Sequence, residues 1–293
     1  MLDFRIYTFI EVCKYMNFTR AAEQLNITQP TVSQHIRWLE NVYGVSLFSY
    51  VGKKMALTES GRQILNVATT MVHDEKFLKK AVETIGKRDL RLGATLTVGE
   101  TIIAEHKAAY LQKHPEDRIS VVVSNTRNLA ELLNLGEIDF ALVEGYFEKK
   151  EFDYQVYSKE NYVCACGPNS YEKLTKGGSV QPDLSQLLKE RLLVREPGSG
   201  TREILEKNLK EKNYDIEDFF NLVQISNIHA IKSLAAADMG ITFLYERAIQ
   251  EEVRAGKLKL LPIEDFLIQH EFAFIWRKGS VFAPVYREFF QIG

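Results

Sequence analysis

Five polar side chains between residues 29 and 37 have the chemical types and the spacing of a DNA-reading surface. They are Gln29, Thr31, Ser33, Gln34 and Arg37. On a helix they lie opposite an apolar stripe that repeats at i, i+4 and i+7, made of Val32, Ile36 and Leu39. Amide side chains pair with adenine edges in the major groove, and arginine pairs with guanine or with a phosphate. The stretch therefore predicts a helix that reads bases, and a helical hairpin with a polar outer face is the alternative.

The residues before this helix predict a shorter helix and a tight turn that position it. Thr19 is expected to cap a helix that ends near Leu25. Asn26 tolerates the left-handed backbone of a turn, and Thr28 offers the next N-cap. Pro30 suits a first helical turn, where its missing N–H costs little. Residues 17–40 thus predict a helix-turn-helix.

A first helix and a short hairpin complete the predicted N-terminal head. Residues 2–16 carry apolar side chains at helical spacing, and residues 45–58 alternate as in a hairpin with Gly52 at its turn. Lys53 and Lys54 follow that turn, where they would lie near phosphates or a minor groove unless the turn is simply solvated. Residues 1–57 hold six basic and four acidic side chains, whereas the whole chain has a net charge of −2. The basic excess is therefore confined to one end, as expected of a DNA-binding head on an unrelated body.

Length and composition indicate a soluble protein of about two domains. The chain has 293 residues, of which 45% are hydrophobic and 26% charged. No apolar run approaches the roughly 18 residues of a membrane span, and the first residues lack a basic region and a cleavage site. We expect the protein to stay in the cytoplasm and to have no membrane partner.

The cysteines have neither disulfide nor zinc spacing. Cys13 lies on the apolar face of the first predicted helix, and Cys164 and Cys166 would face the same side of a strand. We interpret all of them as small buried hydrophobic residues, with redox sensing by Cys164 and Cys166 as the alternative.

A long helix is predicted from Thr58 and Glu59 to about Gly86. Ile64, Met71, Leu78 and Ile85 recur every seven residues, and Ala68 and Val82 occupy intervening positions. Such a seam predicts a two-stranded coiled coil and hence a dimer, although a helix lying along its own second domain would show the same stripe.

From Leu90 onward, strands and helices alternate in two similar halves. The first half predicts strands at 90–95, 119–124 and 140–143 with helices at 100–113 and 129–135. The second predicts strands at 192–195, 222–226 and 241–244 with helices at 201–212 and 230–237. Residues 154–166 would cross between the halves, and a strand at 271–276 followed by a helix at 282–290 would return. The pattern is α/β with parallel sheets, so the chain is predicted to form two lobes around a cleft.

Hydroxyl and amide side chains follow the strands of both halves, where open α/β sheets bind ligands. They are Thr95, Thr97, Asn125, Thr126, Ser199, Thr201, Ser226, Asn227 and His229. The turn at residues 198–201 is the most suggestive, because its glycines let backbone N–H groups converge on an oxyanion. An ordinary strand-to-helix turn capped by Thr201 is the alternative, and a packed or surface side chain is the alternative for His229.

Catalytic and metal-binding patterns are not found in the sequence. Pro197 occupies the first glycine position of a G-x-S-x-G frame around Ser199, and the same loop lacks the lysine of a P-loop. No spacing of Cys and His indicates a metal. We predict no enzyme activity, no cofactor and no metal.

The chain resembles the LysR-type transcriptional regulators over essentially its full length. The resemblance is carried by residues 18–22, Leu25, residues 28–30, Val32, Ser33, Ile36, Leu39, Glu40, Gly44, Leu47, Phe48, Leu57, Thr58 and Gly61. It implies a winged helix-turn-helix at residues 1–58, a dimerising linker helix at 59–87, and an effector-binding domain at 88–293. That domain would have two lobes like those of periplasmic binding proteins, at 88–163 with 267–293 and at 164–266. The fold class implied is α/β with an all-α winged helix-turn-helix before it.

The resemblance also implies functional residues and partners. DNA contacts would be made by Gln29, Pro30, Thr31, Ser33, Gln34, Arg37 and Lys53, and effector contacts by Thr95, Thr97, Asn125, Ser199, Thr201 and Ser226. Gln34, Tyr50 and Lys53 depart from the arginines common in the family, which puts base preference and phosphate contacts in doubt. Expected partners are an interrupted palindrome in double-stranded DNA, a small-molecule effector and further copies of the chain as a homodimer or homotetramer, with RNA polymerase as another candidate. Several hydroxyls and no obvious lining carboxylate favour a small anionic effector.

Two other classes of protein compete with this interpretation. A solute-binding transport component would share the two lobes, but it has no use for a DNA-reading head. An α/β enzyme with an accessory binding head would need a catalytic constellation that the sequence lacks.

Overall fold

The computed structural model describes residues 2–52, 54–83, 87–103, 110–263 and 266–291. The head contains helices α1 (Phe4–Tyr15), α2 (Phe18–Leu25) and α3 (Gln29–Tyr43), then the antiparallel hairpin of β1 (Phe48–Val51) and β2 (Lys54–Leu57). Gly52 has a φ of +63° in the hairpin turn, a conformation that glycine adopts without steric cost. The predicted helix-turn-helix and hairpin are confirmed.

The helix caps of the head confirm one prediction and correct another. Thr28 caps α3 by accepting a bond from the Thr31 N–H, and Asn26 has the left-handed backbone expected of the turn. The cap of α2 is Asn17 rather than Thr19, because the extended Asn17 places its side-chain oxygen against the N–H groups of Thr19 and Arg20. The prediction of Thr19 as the cap was wrong by two residues.

The helix α4 (Glu59–Glu83) leaves the head at a close contact between backbones. A Cβ added to Gly61 would lie 2.2 Å from the Leu47 carbonyl oxygen. The Thr58 hydroxyl donates to the Ser46 carbonyl at 2.7 Å, which anchors the same corner. The glycine is therefore required by the approach of α4 to the hairpin.

The first half of α4 packs into its own head, which corrects part of the predicted seam. Ala68 is buried in the head core and Ile64 packs against it. Four other apolar side chains of the helix form an exposed stripe, defined here as Val67, Met71, Leu78 and Val82. These four lie within about 60° of one another on a helical wheel. Ile85, the last predicted seam residue, and Gly86 lie outside the described residues.

The body is a single mixed sheet with helices on its faces. Its first half contains β3 (Asp89–Ala94), α5 (Leu96–Thr101), β4 (Arg118–Val123), α6 (Thr126–Leu135), β5 (Phe140–Val143) and the long β6 (Phe152–Cys166). Its second half contains α7 (Pro168–Thr175), α8 (Leu184–Leu187), β7 (Arg191–Val194), α9 (Gly200–Glu211), β8 (Asn221–Gln224), α10 (Ile228–Ala236), β9 (Ile241–Tyr245), α11 (Glu246–Arg254) and β10 (Lys259–Leu261). The chain ends with β11 (Ile268–Arg277) and α12 (Ala283–Gln291).

Two long strands join the halves of the sheet. The strand order is β4-β3-β5-β11-β6-β9-β7-β8, with β10 pairing to β6. Within each half, the strands β3, β4 and β5 and the strands β7, β8 and β9 are parallel. The strand β6 pairs antiparallel with β11 along its length and with β9 near its end. We call the half with β3, β4 and β5 lobe one, and the half with β7, β8 and β9 lobe two.

The predicted order of strands and helices in the body is found, but several elements were missed. The helix α6 begins three residues before its predicted start, because Asn125 caps it. The sequence did not predict α5, α7, α8, α11 or β10, and residues 104–109 of the helix predicted at 100–113 lie outside the described residues. Most of the missed elements have three to eight residues, too few to show a periodic pattern. The helix α11 has nine residues and an amphipathic pattern, and it was overlooked.

The linker helix α4 is fastened to lobe one by polar contacts. Arg277 is buried and donates to the Asn66 carbonyl at 2.9 Å. Asp74 accepts from the Ser280 hydroxyl at 2.6 Å and from the Val281 N–H at 2.9 Å. Burial lowers the pKa of Arg277 to about 10, against the opposing charges of nearby carboxylates. Because these groups come from distant parts of the sequence, they connect α4 to the end of β11 and to the loop before α12.

Candidate DNA-reading surface and inter-lobe cleft

The helix α3 divides into a buried apolar side and a polar side that faces solvent. Val32, Ile36 and Leu39 are almost completely buried in the head core. The six predicted contacts on the same helix all reach the surface: Gln29, Pro30, Gln34 and Arg37 are exposed, and Thr31 and Ser33 are half-buried. The arrangement presents amide, hydroxyl and guanidinium donors together on one convex face.

Hydrogen bonds order the first turn of this face. The Gln29 side-chain amide donates to the Ser33 hydroxyl at 2.9 Å, and the hydroxyls of Thr28 and Thr31 lie 2.8 Å apart. Gln29 and Ser33 lie one helical turn apart, so they form a pre-arranged pair at the end of α3 that enters a groove in helix-turn-helix complexes.

The hairpin is held beside α3 by a carboxylate of that helix. Glu40 accepts a bond from the Leu47 N–H at 2.8 Å, which fixes the start of the hairpin. Lys54 is exposed at the beginning of β2, whereas Lys53 lies outside the described residues. Elsewhere on the head, the Arg5 guanidinium lies 3.6 Å from the centre of the Trp38 ring, a cation–π contact that holds a positive charge close to α3.

A cluster of buried polar side chains lies where the two lobes meet. Lobe one contributes Thr95, Thr97, Thr126 and Glu144, and lobe two contributes Arg195, Ser199 and Thr201; all have at most 5% of their surface exposed. The hydroxyls of Thr95 and Thr126 make no hydrogen bond within the described part of the chain, and the same holds for Nη1 of Arg195. Buried polar groups are normally paired, so this concentration of unpaired atoms makes the cluster a candidate ligand site.

Glu144 forms the central contact between the lobes. Its Oε1 accepts a bond from the Thr201 hydroxyl at 2.8 Å. Its Oε2 meets no donor with hydrogen-bonding geometry among the described residues, although the Thr97 hydroxyl is near enough to lower the pKa of the carboxyl. Burial has the largest effect and raises the pKa of Glu144, while Thr97, Thr201 and the Arg195 charge lower it. The hydrogen bonds and the Arg195 charge thus offset only part of the free-energy cost of burying this carboxylate.

The lobes touch at this point through glycines. A Cβ on Gly200 would lie 2.8 Å from both the nitrogen and the Cα of Gly145. Tyr162 and Tyr245 add bonds beside it: the Tyr162 hydroxyl donates to the Thr201 carbonyl at 2.8 Å, and the Tyr245 hydroxyl donates to the Glu144 carbonyl at 3.2 Å. The cleft is therefore closed over the polar cluster.

The other predicted effector contacts lie at different distances from the cluster. Asn125 caps α6, and its amide nitrogen lies 3.7 Å from the ideal Cβ position of Gly198, so it faces the 198–201 turn across the cleft. Ser226 is exposed and follows β8, the edge strand of lobe two. His229 is also exposed. Of the predicted set, Thr95, Thr97, Ser199 and Thr201 share the buried cluster, whereas Ser226 is exposed and is not part of it.

The expectation that no carboxylate lines the cleft was wrong. Glu144 directly follows the buried strand β5, and Arg195 directly follows β7. These are the same strand-end positions that singled out Thr95 from the sequence. Applying that rule to charged residues as well as to hydroxyls would have found both.

The cavities described elsewhere in the body do not include these residues. One of about 650 Å³ is lined by residues 183–185, 208, 211, 212, 214 and 266–268. Another of about 440 Å³ lies at the junction between α4 and lobe one, beside Phe77, Arg88 and Phe282. Both are open to solvent, in contrast to the closed polar cluster.

The cysteines of β6 have the surroundings of core residues. Cys164 and Cys166 are buried on the same face of the strand, and both belong to the main hydrophobic core. Burial raises the pKa of Cys166 to about 12 and that of Cys164 well above its ordinary value. Since reactive cysteines need an accessible thiolate, these observations favour the structural interpretation over redox sensing.

Comparisons with known proteins agree with both parts of the chain. A family model described as "Bacterial regulatory helix-turn-helix protein, lysR family" matches residues 5–62, and one described as "LysR substrate binding domain" matches residues 86–292. The HTH-type transcriptional regulator CysL of Bacillus subtilis is 28% identical over 271 residues, covering 92% of this chain and 88% of that protein.

Solved structures with lower identity share the fold. Full-length LysG from Corynebacterium glutamicum, with bound effector Arg, has a TM-score of 0.65 at 15% identity and covers 100% of this chain and 98% of its own. The regulatory domain of Synechocystis CcmR in complex with 2-PG has a TM-score of 0.61 at 22% identity and covers 69% of this chain and 94% of its own. The overlap with LysG spans the whole chain, and the overlap with CcmR includes most of that regulatory domain.

Proposed function

The chain belongs to the LysR family of transcriptional regulators, and from that premise we propose which surfaces read DNA, bind the effector and join copies of the chain. It is a DNA-binding regulator with an effector-binding domain, and its relatives are named as regulators rather than enzymes. Among the described residues, no helix combines the length and the apolar character needed to cross a bilayer.

We propose that α3 enters the major groove with its polar face, and that Gln29, Pro30, Thr31, Ser33, Gln34 and Arg37 contact DNA. The single observation that carries this proposal is that all six reach the surface of one helix while its apolar stripe is buried. Lys53, which directly follows Gly52 in the sequence, is proposed to contact a phosphate. A two-fold dimer presents two such helices, so the preferred target is an interrupted palindrome.

The effector is proposed to be a small anion bound between the lobes by Thr95, Thr97, Asn125, Ser199, Thr201 and, at the outer edge, Ser226. Unpaired buried hydroxyls, Nη1 of Arg195 and the N-terminus of α9 are the donors that support an anion. The other two guanidinium nitrogens of Arg195 donate to Glu196. The complex of the CcmR regulatory domain with 2-PG is an example of a small molecule bound by a similar domain.

Self-association is proposed to use two separate apolar surfaces. The stripe on α4 exposes about half or more of each of its four side chains. On the body, the edge strand β4 exposes Val122 and Val123, and residues 220 and 222 at the opposite edge expose apolar side chains as well. Two distinct interfaces are what a dimer of dimers requires, so we propose a homodimer through α4 and a homotetramer through both surfaces. At a promoter, RNA polymerase is the further partner we propose.

A binding experiment with full-length protein tests the DNA and effector assignments together. Fluorescence anisotropy with the duplex bordering the protein's own gene is expected to show binding that weakens steeply with salt and exceeds binding to a shuffled duplex. Thermal-shift titration with sulfate, phosphate and small carboxylates is expected to raise the melting temperature, and less so for Thr97→Val. Equal affinity for both duplexes would contradict the DNA assignment, and a thermal shift with neutral analogues alone would contradict an anionic effector.

A further inference from the structure

We propose that Glu144 is a built-in occupant of the anion-binding half of the cleft, which a bound effector must displace. Its carboxylate lies at the N-terminus of α9, where the carboxylate or phosphate of the effector would bind. This inference rests on the anionic effector proposed above and names the group with which that effector competes.

The N-terminus of α9 lacks a side-chain cap. Ser199 is the N-cap residue, yet its side chain makes no capping hydrogen bond. The Thr201 hydroxyl donates to Glu144 at 2.8 Å, and the Thr201 backbone N–H also lowers the pKa of that carboxyl. A helix N-terminus has unsatisfied N–H groups and favours negative charge. The helix has Glu203 in its own first turn, and Glu144 of lobe one adds a buried carboxylate that accepts from the Thr201 hydroxyl at the helix N-terminus.

The Glu144 carboxylate is also incompletely paired. Glu144 is 1% exposed, and its Oε2 has no hydrogen-bonding donor among the described residues. Burial raises the pKa of the carboxyl despite Thr97, Thr201 and Arg195. A buried carboxylate needs several donors to offset its lost hydration. The contact is thus weak enough for a better-matched anion to replace it.

Close backbone contacts between the lobes support the same inference. Gly145 and Gly200 approach so closely that neither has room for a Cβ, and a Cβ on Gly145 would lie 2.5 Å from the Thr126 hydroxyl. An effector that contacts Thr126 and the N-terminus of α9 together needs this space. Because Gly145 follows Glu144 directly, a ligand that separates the two glycines also moves the Glu144 backbone. Closure around Glu144 and closure around an effector are therefore alternative states of the cleft.

The test compares anion binding by the full-length protein and its Glu144→Gln variant, using isothermal titration with inorganic phosphate and with sulfate. Removing the competing charge while keeping the side-chain shape is expected to tighten binding about tenfold, since a nearby like charge opposes an anion. Glu211→Gln is the matched control, because Glu211 is exposed at the other end of α9. It removes the same charge and is expected to leave the affinity unchanged.

Equal or weaker anion binding by Glu144→Gln would overturn the inference, and weaker binding would mean that Glu144 receives a donor group of the ligand. A second measurement needs no ligand: hydrogen exchange at the Thr201 and Arg202 amides is expected to be about tenfold faster in Glu144→Ala, because the N-terminus of α9 loses the buried carboxylate next to Thr201. Unchanged exchange would also overturn the inference.

The two proposals fail in distinguishable ways. If neither protein binds any anion but exchange at α9 is faster in Glu144→Ala, the anionic effector is wrong while Glu144 still occupies the helix terminus. The competition with an effector is then refuted as well. If Glu144→Ala does not fold, the titration with Glu144→Gln decides alone.

Discussion

The DNA-reading face and the inter-lobe cleft use similar side chains in opposite ways. The face of α3 is made within nine consecutive positions and turns its amides and hydroxyls toward solvent. The cleft assembles its hydroxyls from several strand ends, with Glu144 and Thr201 57 residues apart, and buries them. Donors that face solvent contribute little to folding, whereas buried donors must be paired for the fold to be stable. Substitutions should therefore change binding alone in the first region, and both stability and binding in the second.

The largest loss of stability is expected at Gly61, which lies beside the head but outside the polar face of α3. Gly61→Ala should lower the free energy of unfolding by about 3 kcal/mol, because the new methyl group meets the Leu47 carbonyl oxygen at 2.2 Å and backbone must shift. Gly44→Ala is the control: its φ is +67° but nothing lies within 4 Å, so about 1 kcal/mol is expected. Urea unfolding of both variants measures the difference, and equal losses would refute the close contact between α4 and the hairpin.

A matched pair of threonine substitutions tests the comparison directly. Thr201→Val removes the donor to the buried Glu144 and should cost about 1–3 kcal/mol of stability. Thr31→Val makes the same chemical change on the half-buried face of α3 and should cost under about 0.5 kcal/mol. Thermal unfolding of the two variants provides the measurement. A larger loss for Thr31→Val would mean that the polar face of α3 contributes to the fold rather than to recognition.

Substitutions in the stripe on α4 should weaken self-association and leave the folding of the protomer unchanged. Met71→Lys together with Leu78→Lys places charges on an exposed apolar surface and should weaken association by about 2 kcal/mol or more. Sedimentation velocity is expected to show smaller species at the same concentration. Lys79→Ala, on another side of the helix, is the control and should leave the species unchanged. Unaltered assembly of the double variant would rule out this stripe as an interface.

The smallest effect is a loss of DNA affinity, expected for a substitution in the hairpin. Lys54→Ala removes an exposed positive charge at the start of β2 and should weaken binding to specific and shuffled duplexes alike by under about 1 kcal/mol. The slope of log affinity against log salt should fall by about 1. A loss confined to the specific duplex would instead indicate that the hairpin reads bases.

The two regions also differ in how far the sequence predicted them. The helix-turn-helix was found because caps, apolar spacing and turn residues lie within a few positions of one another, and Thr28 caps α3 as expected. The strand-end position of Glu144 is visible in the sequence and was overlooked, but its hydrogen bond to Thr201 depends on lobe two reaching lobe one, which no local pattern encodes. The same reason explains the seam on α4: its seven-residue repeat is real, but Ala68 is buried in the head. Only tertiary packing decides which members of a repeat remain available to a partner.

Base selectivity of α3 is the central claim, and one measurement tests it most directly. Competition anisotropy gives the ratio of affinities for the duplex bordering the protein's own gene and a shuffled duplex of equal length. We predict that Arg37→Ala and Gln34→Ala each reduce this ratio about tenfold or more, as expected for the loss of a base contact, with unfolding temperatures unchanged. Arg127→Ala removes an exposed arginine of lobe one and should leave the ratio as it is. A ratio near one for the wild-type protein, or a ratio indifferent to both α3 substitutions, would contradict the account.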